Sequence, residues 1–159
     1  MLVVSLRLHP NNSSLAKAIA AVISHPFGVG NSHHRVGSGK IIETDSVPYG
    51  CYRKDVFERI GLYDEELTRN QDDELNGRLI KAGGKIYIIP FLQITYYARD
   101  SIKNLWGMFY QYGLFKPLVN KKLGSPATMR QFVPLLFVIG LFVGGLLSLL
   151  SRYIFYYIY

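Results

Sequence analysis

Apolar and polar positions alternate with different periods along this chain, and the periods mark its elements. "SSLAKAIAAVIS" is an alanine-rich helical run capped by Ser13 or Ser14, followed by a Gly-rich loop, "HPFGVGNSHHRVGSGK". "KIIET" and "VPYGCYR" read as strands, and "KDVFERIG" as a short helix stopped by Gly61. "DDELNGRLIKAGG" is a second helix that ends the same way, and "KIYIIP" and "LQITYYA" are strands. In "SIKNLWGMFYQYGLFKPL", residues Ile102, Leu105, Trp106, Phe109, Tyr112 and Lys116 recur at helical spacing. This amphipathic, aromatic helix suits a membrane interface, or else covers the core of the domain. "NKKLGSPATMR" follows as a linker.

The last long run changes the class of the protein. From Phe132 to Leu150 no residue is charged, and about 19 helical residues span roughly 28 Å, close to a bilayer core of about 30 Å. A transmembrane helix is predicted, because so small a polar part could hardly bury so uniformly apolar a segment. Pro134 falls in its first turn, where a missing N–H is tolerated. Lys116, Lys121, Lys122 and Arg130 precede it and Arg152 follows, a bias that puts the N-terminal domain in the cytoplasm. "MLVVSLRLHP" is apolar but brief, carries Arg7, and has no small-residue cleavage pattern, so no signal peptide is read there.

Eighteen Lys and Arg against eleven Asp and Glu give a net charge of +7, which suits nucleic acid, anionic lipid or a phosphate-bearing substrate. The lysines crowd the membrane flank and form no stripe on the domain, so nucleic acid is not expected as a partner. The single cysteine, Cys51, excludes an internal disulfide framework. "VGSGK" fails as a phosphate loop, since His34 stands where a glycine is required and Ile41 where a hydroxyl is required. His33 and His34 are adjacent and poorly placed to share a metal.

The chemistry concentrates in "TRNQDDELNGRLIKAGGKI", residues 68 to 86. On a helical wheel Leu75, Leu79 and Ala82 share one face, Asp72 adjoins it, and Glu74, Arg78 and Lys81 point away. Glu74 and Arg78, four apart in the favourable order, read as a surface pair. Asp73 reads as solvated or as a helper of the first turn. Asp72 faces the protein body and is either a helix cap or a catalytic base. Asp72 and Glu74 point apart, which disfavours a metal site.

"VPYGCYRKDVFERIGLYDEEL" followed by "NQDDELNGRLIKAGGKIYIIP" resembles the second half of the family 2 glycosyltransferases, nucleotide-sugar enzymes of GT-A fold, and especially the membrane-associated ones of bacterial exopolysaccharide (succinoglycan-type) biosynthesis. The shared pattern is a small-residue turn, "YRKDVFERIG", "LYDEEL", an E-D-x-E/D-L-x-x-R helix start and "KAGGKI". Gln71 stands where the family has its first acid. The resemblance implies Asp72 as the catalytic base that takes the acceptor hydroxyl proton, and Gly50, Cys51, Tyr52, Asp73, Arg78, Gln111 and Lys116 as substrate-binding positions. Gln111 and Lys116 lie in a region loosely similar to the family's Q-x-x-R-W motif; Lys116 also reads as a membrane-flanking cation, and Arg99 as facing either donor phosphates or a surface carboxylate.

The resemblance further implies a nucleotide-sugar donor, a saccharide or lipid-linked acceptor, transfer with inversion, a bacterial inner-membrane location, and a divalent cation, Mg²⁺ or Mn²⁺. The family's DxD metal motif lies in an N-terminal half, and no D-x-D occurs in this sequence. The expected architecture is therefore α/β: residues 1–118 a partial GT-A-like domain, a mixed sheet with flanking helices and an exposed edge; 119–131 a linker; 132–152 a transmembrane helix; 153–159 a tail. The chain is expected to be a fragment with a secondary start at Met1. The alternative is a non-catalytic, membrane-anchored module that needs a partner chain for the donor site.

Overall fold

The computed structural model describes residues 2–9, 13–29, 32–37 and 39–158; at 2–9 and 154–158 the description is of the backbone. It divides into two compact units, one up to Ala127 and one from Thr128 to Tyr159.

The first unit is a mixed α/β structure around a four-stranded sheet. In chain order it contains β1 (Leu2–His9), α1 (Ser14–Ser24), short helices α2 (Pro26–Val29) and α3 (His33–Val36), β2 (Ile42–Thr44), β3 (Gly50–Cys51), α4 (Lys54–Ile60), α5 (Gln71–Lys81), β4 (Ile86–Tyr97) and α6 (Ile102–Leu123). The strand order is β2-β4-β1-β3. β1 runs parallel to β4 and antiparallel to β3, while β2 lies antiparallel to β4. The outer strands are therefore β2 and β3.

Several expectations are corrected. No strand was read in residues 2–9, yet the segment sits inside the sheet, because its partner β4 lies far along the chain. "KIYIIP" and "LQITYYA" form one strand. Pairing along it jumps from Val4↔Ile89 to Ser5↔Gln93, and the skipped residues include Pro90, which has no N–H to give to a ladder. "HPFGVGNSHHRVGSGK" contains two short helices within the region read as a loop. The "VPYGCYR" strand shrinks to Gly50–Cys51.

Three small apolar clusters hold the unit. Val47, Leu79, Ile86 and Ile88 join α5 to β4, with Ile42, Tyr52, Val56 and Ile60 against them. Ile19, Ala20, Ile23 and Ala98 seat α1, whose cap is Ser13, accepting from the Ala16 N–H at 3.1 Å. Leu67, Val119 and Leu123 form the third. That cluster explains why α6 continues past Pro117 to Leu123, where a linker was expected to begin at 119: burying Val119 and Leu123 offsets the hydrogen bond that proline removes. Lys122 reinforces this end by pairing with Asp64 at 2.7 Å and Glu66 at 2.6 Å. Gly124, at φ 64°, then closes the helix in a left-handed conformation.

The second unit is a 3-10 turn at Met129–Phe132 leading into α7 (Val133–Ile158). Met129–Tyr153 is long and apolar enough to cross a membrane, and none of its most apolar stretch is buried.

Candidate active site

The site is built where α5 begins. The turn before it is held by Asn70 in the left-handed region, φ 60°, whose Nδ2 donates to the Tyr112 carbonyl at 3.3 Å. Gln71 donates from its side chain to the Leu67 carbonyl. These bonds fix the entry of the helix against α6 and aim its three first-turn acids in different directions.

Glu74 is buried. Its carboxylate takes a bidentate fork from Arg78, Nε–Oε1 2.7 Å and Nη2–Oε2 2.8 Å, and Arg78 also donates to the carbonyls of Ile60 and Leu62. The expected surface pair is instead a buried clasp joining α5 to the turn after α4. It occupies the guanidinium of Arg78, which had been assigned to substrate.

Asp73 is likewise not solvated. One of its oxygens accepts from the Ser46 hydroxyl and the other pairs with Lys116 of α6. Lys116, expected as a membrane-flanking cation, thus points into the domain.

Asp72 is half-buried and, among the described residues, forms no ion pair. Its Oδ1 accepts the adjacent Asp73 N–H, at 3.0 Å. Desolvation first, and the Asp73 carboxylate second, raise its pKa to about 6, with Lys116 and the backbone bonds opposing. Behind it lies a buried polar chain: the Tyr52 hydroxyl donates to Asn76 Oδ1 at 2.8 Å, and Asn76 Nδ2 donates to the Val47 carbonyl at 3.0 Å. Burial, then Tyr63, raise the Tyr52 phenol well above its ordinary range, and Asp72 adds to the shift. Tyr52 packs tilted on Phe57 at 5.4 Å and edge-on to Tyr63 at 6.4 Å.

Gly50 and Cys51 form β3 just before Tyr52, and the Cys51 thiol is exposed. Tyr49, before them, is held at φ 54°, a strained setting for a bulky residue and a feature of functional turns.

A cavity of about 410 Å³ opens on the α6 side, lined in part by Arg69, Arg99, Lys103, Asn104, Gln111 and Tyr112. Arg69 Nε donates to Gln111 Oε1 at 2.7 Å. Tyr112, whose pKa is raised mainly by burial, also feels Arg35, Asp72 and Arg69, and its carbonyl takes the Asn70 bond at the start of α5. Arg99 thus lines a cavity.

The structure thus draws Tyr52, Asp72, Asp73 and Lys116 together, puts Gln111 at the cavity and commits Arg78 to the clasp. Ser46, Asn76, Arg69 and Lys103 escaped sequence reasoning. Asn76, an amide inside a helix one turn after Asp72, was the available signal. A divalent cation finds no ready site: among the described residues no three His, Cys, Asp or Glu side chains are grouped to hold one, and Asp73 is already engaged by Lys116 and Ser46.

A carboxyl of raised pKa, half-enclosed and beside a cationic cavity, fits group transfer to a hydroxyl, and the chain is similar to glycosyltransferases of polysaccharide biosynthesis. It is 31% identical over 140 residues to the succinoglycan biosynthesis protein ExoA of Rhizobium meliloti (strain 1021), covering 87% of this chain and 42% of ExoA. It is 34% identical over 113 residues to the dolichyl N-acetyl-alpha-D-glucosaminyl phosphate 3-beta-D-2,3-diacetamido-2,3-dideoxy-beta-D-glucuronosyltransferase of Methanococcus voltae, covering 70% of this chain and 35% of that protein. The chain spans less than half the length of the curated relatives it matches. No family model and no solved structure matches. The resemblance drawn from the motifs is thus found again over most of the chain.

Proposed function

We propose that this chain carries the acceptor side of a membrane-bound, inverting glycosyltransferase of family 2 and GT-A type, acting in polysaccharide biosynthesis. The donor is a nucleotide sugar and the acceptor a saccharide or lipid-linked saccharide. The observation that carries this reading is the state of Asp72, a half-buried carboxyl that forms no ion pair among the described residues, with a pKa raised to about 6, at the position that the family pattern gives to the base.

In the proposed reaction the acceptor hydroxyl approaches the anomeric carbon and Asp72 takes its proton as the new glycosidic bond forms and the nucleoside diphosphate departs. A pKa near 6 keeps Asp72 ionised at neutral pH while making it a better base than an ordinary aspartate. The Asp73–Lys116–Ser46 contacts and the Asn76–Tyr52 chain hold its surroundings in place, so little reorganisation accompanies the transfer. The exposed aromatic and aliphatic side chains of α6, Ile102, Trp106, Phe109, Tyr110 and Leu114, suit a helix lying at a membrane surface, and α7 suits a span. The Lys and Arg residues ahead of α7 support a cytoplasmic placement of the first unit at the inner membrane.

The test is transfer by this chain in neutral detergent, supplied with a DxD-bearing donor half, with UDP-, GDP- and dTDP-sugars, Mg²⁺ or Mn²⁺, and saccharide acceptors, beside Asp72→Asn. The reading expects transfer that falls by about 10²-fold or more in the variant, the usual range for a general base. Equal transfer by both proteins would overturn it.

A further inference from the structure

Tyr49 is held at φ 54° in the bend that leads into β3, a conformation that glycine adopts freely and a side chain with a Cβ resists. Packing does not explain its presence there, since the residue is 59% exposed. Among the described residues its phenol makes no hydrogen bond and its ring meets no other ring. Glycine or asparagine is the ordinary occupant of such a position after a proline, here Pro48. An aromatic side chain is therefore kept uncovered where neither conformation nor burial favours it.

The turn that carries it is clamped at both ends by one side chain. Asn76 Nδ2 donates to the Val47 carbonyl at 3.0 Å, just before Tyr49 in the chain, and Asn76 Oδ1 accepts from the Tyr52 hydroxyl at 2.8 Å, just after it. Asn76 is fully buried and stands one turn beyond Asp72 on α5, and the Ser46 hydroxyl adds a bond to Asp73. Val47 is fully buried as well, so the Tyr49 Cα lies within about 7 Å of an anchored residue. Surroundings that fix the backbone on both sides are what let strain persist, and such strain gathers at working sites.

A rigid, uncovered aromatic face suits a ligand that is flat and partly apolar. A pyranose has that shape: its hydroxyls lie round the rim, and its axial C–H groups cover a face that meets the negative face of an aromatic ring. We propose that Tyr49 is a specificity-determining residue that stacks on the pyranose ring of the acceptor, beside the helix that carries Asp72. The substrate positions drawn from the resemblance at this turn are Gly50, Cys51 and Tyr52, and the Tyr52 ring is engaged in packing on Phe57 and Tyr63. That the stacked ring belongs to the acceptor rests on the glycosyl-transfer reading; the stacking face itself stands on the turn alone.

The full chain, in a polyoxyethylene detergent that carries no sugar headgroup, is titrated with the methyl β-glycosides of glucose, galactose and N-acetylglucosamine, and with sorbitol as a polyol without a ring. Binding is read on the sugar protons by saturation-transfer NMR. Tyr49→Phe keeps the aromatic face and is expected to bind within about twofold of the wild type, whereas Tyr49→Gly is expected to weaken binding about fivefold or more. Stacking also predicts the strongest saturation at H1, H3 and H5 of the glucoside, which share one face of the ring. Because glycine suits φ 54°, Tyr49→Gly is expected to melt at or above the wild-type temperature, a result that a packing residue would not give. Asp72→Asn is expected to bind the glycosides as the wild type does while losing transfer, so failure of the base and failure of the stacking face are distinct results. Equal affinity of Tyr49→Gly and the wild type, a Tyr49→Gly chain that melts well below the wild type, sorbitol binding as tight as that of the glycosides, or no saturable binding of any glycoside overturns the proposal.

Discussion

At the residue scale, the account turns on one carboxyl that keeps its proton to an unusual pH. Asp72 titrates at about 6 in the folded chain, against an ordinary value of 3.8. The folded state therefore holds a proton that the unfolded chain has released across this window. Stability falls as pH rises from about 4 to about 6 and stays lower above it. The difference of about two pKa units sets an upper bound of about 3 kcal/mol. Asp72→Asn, which cannot ionise, is expected to raise the melting temperature at pH 7 and to leave it nearly unchanged at pH 4; a carbon-13 carboxyl titration would place the midpoint directly. Glu74 is a carboxylate buried against Arg78. Glu74→Ala leaves the guanidinium facing two carbonyls without its counter-ion and is expected to cost about 3 kcal/mol or more in denaturant unfolding. A loss under about 0.5 kcal/mol would return the pair to the surface role first read for it. Sequence showed that Asp72 leans toward the protein body, because that follows from the wheel alone. It did not show that Glu74 is buried, since the carbonyls of Ile60 and Leu62 that surround Arg78 belong to a turn no periodicity describes. The Asp73–Lys116 pair was equally hidden, its partners being 43 residues apart.

At the scale of elements, α5 and α6 approach closely because Gly77 has no side chain. A Cβ built there would stand 2.5 Å from Leu123 Cδ1. Gly77→Ala gains about 1 kcal/mol of helix propensity but overpacks the contact, at about 1–3 kcal/mol, and net destabilisation is expected. Leu123→Ala in the same chain should recover part of it, and a double-mutant cycle would measure the coupling. Additive effects would mean that the helices do not meet at this point. Helix α1 was legible from its apolar spacing and the Ser13 cap, and α4 and α5 from their apolar spacing and the glycines that follow them. β1 was not, for a strand lying between two remote partners owes its place to pairing that its own eight residues do not encode. The end of α6 was missed for a related reason: Pro117 and the lysines after it signal a stop, and burial of Val119 and Leu123 overrides them.

For the whole molecule, the sheet ends in the short outer strands β2 and β3, and α7 exposes apolar side chains along its most hydrophobic stretch. An exposed apolar helix of this length is expected to keep the chain in the membrane fraction through carbonate extraction. Two arginines near its centre, Ile139→Arg and Val143→Arg, cost about 2.5–3.5 kcal/mol each in a bilayer and should release much of it; full retention of the variant would argue against a span. The similarity to glycosyltransferases of polysaccharide biosynthesis was legible in the "KDVFERIG" to "KAGGKI" pattern, while the cavity on α6 was not, because Arg69, Arg99 and Lys103 come together only when α5 packs on α6. The central claim is that Asp72 takes the acceptor proton, and the pH dependence of sugar transfer tests it most directly. The account predicts a rate that climbs about tenfold per pH unit below about 6 and then levels, with Asp72→Asn lower by about 10²-fold or more on the plateau and without that rise. A variant that transfers sugar at the wild-type rate, or a wild-type profile flat from pH 4.5 to 8, would contradict it.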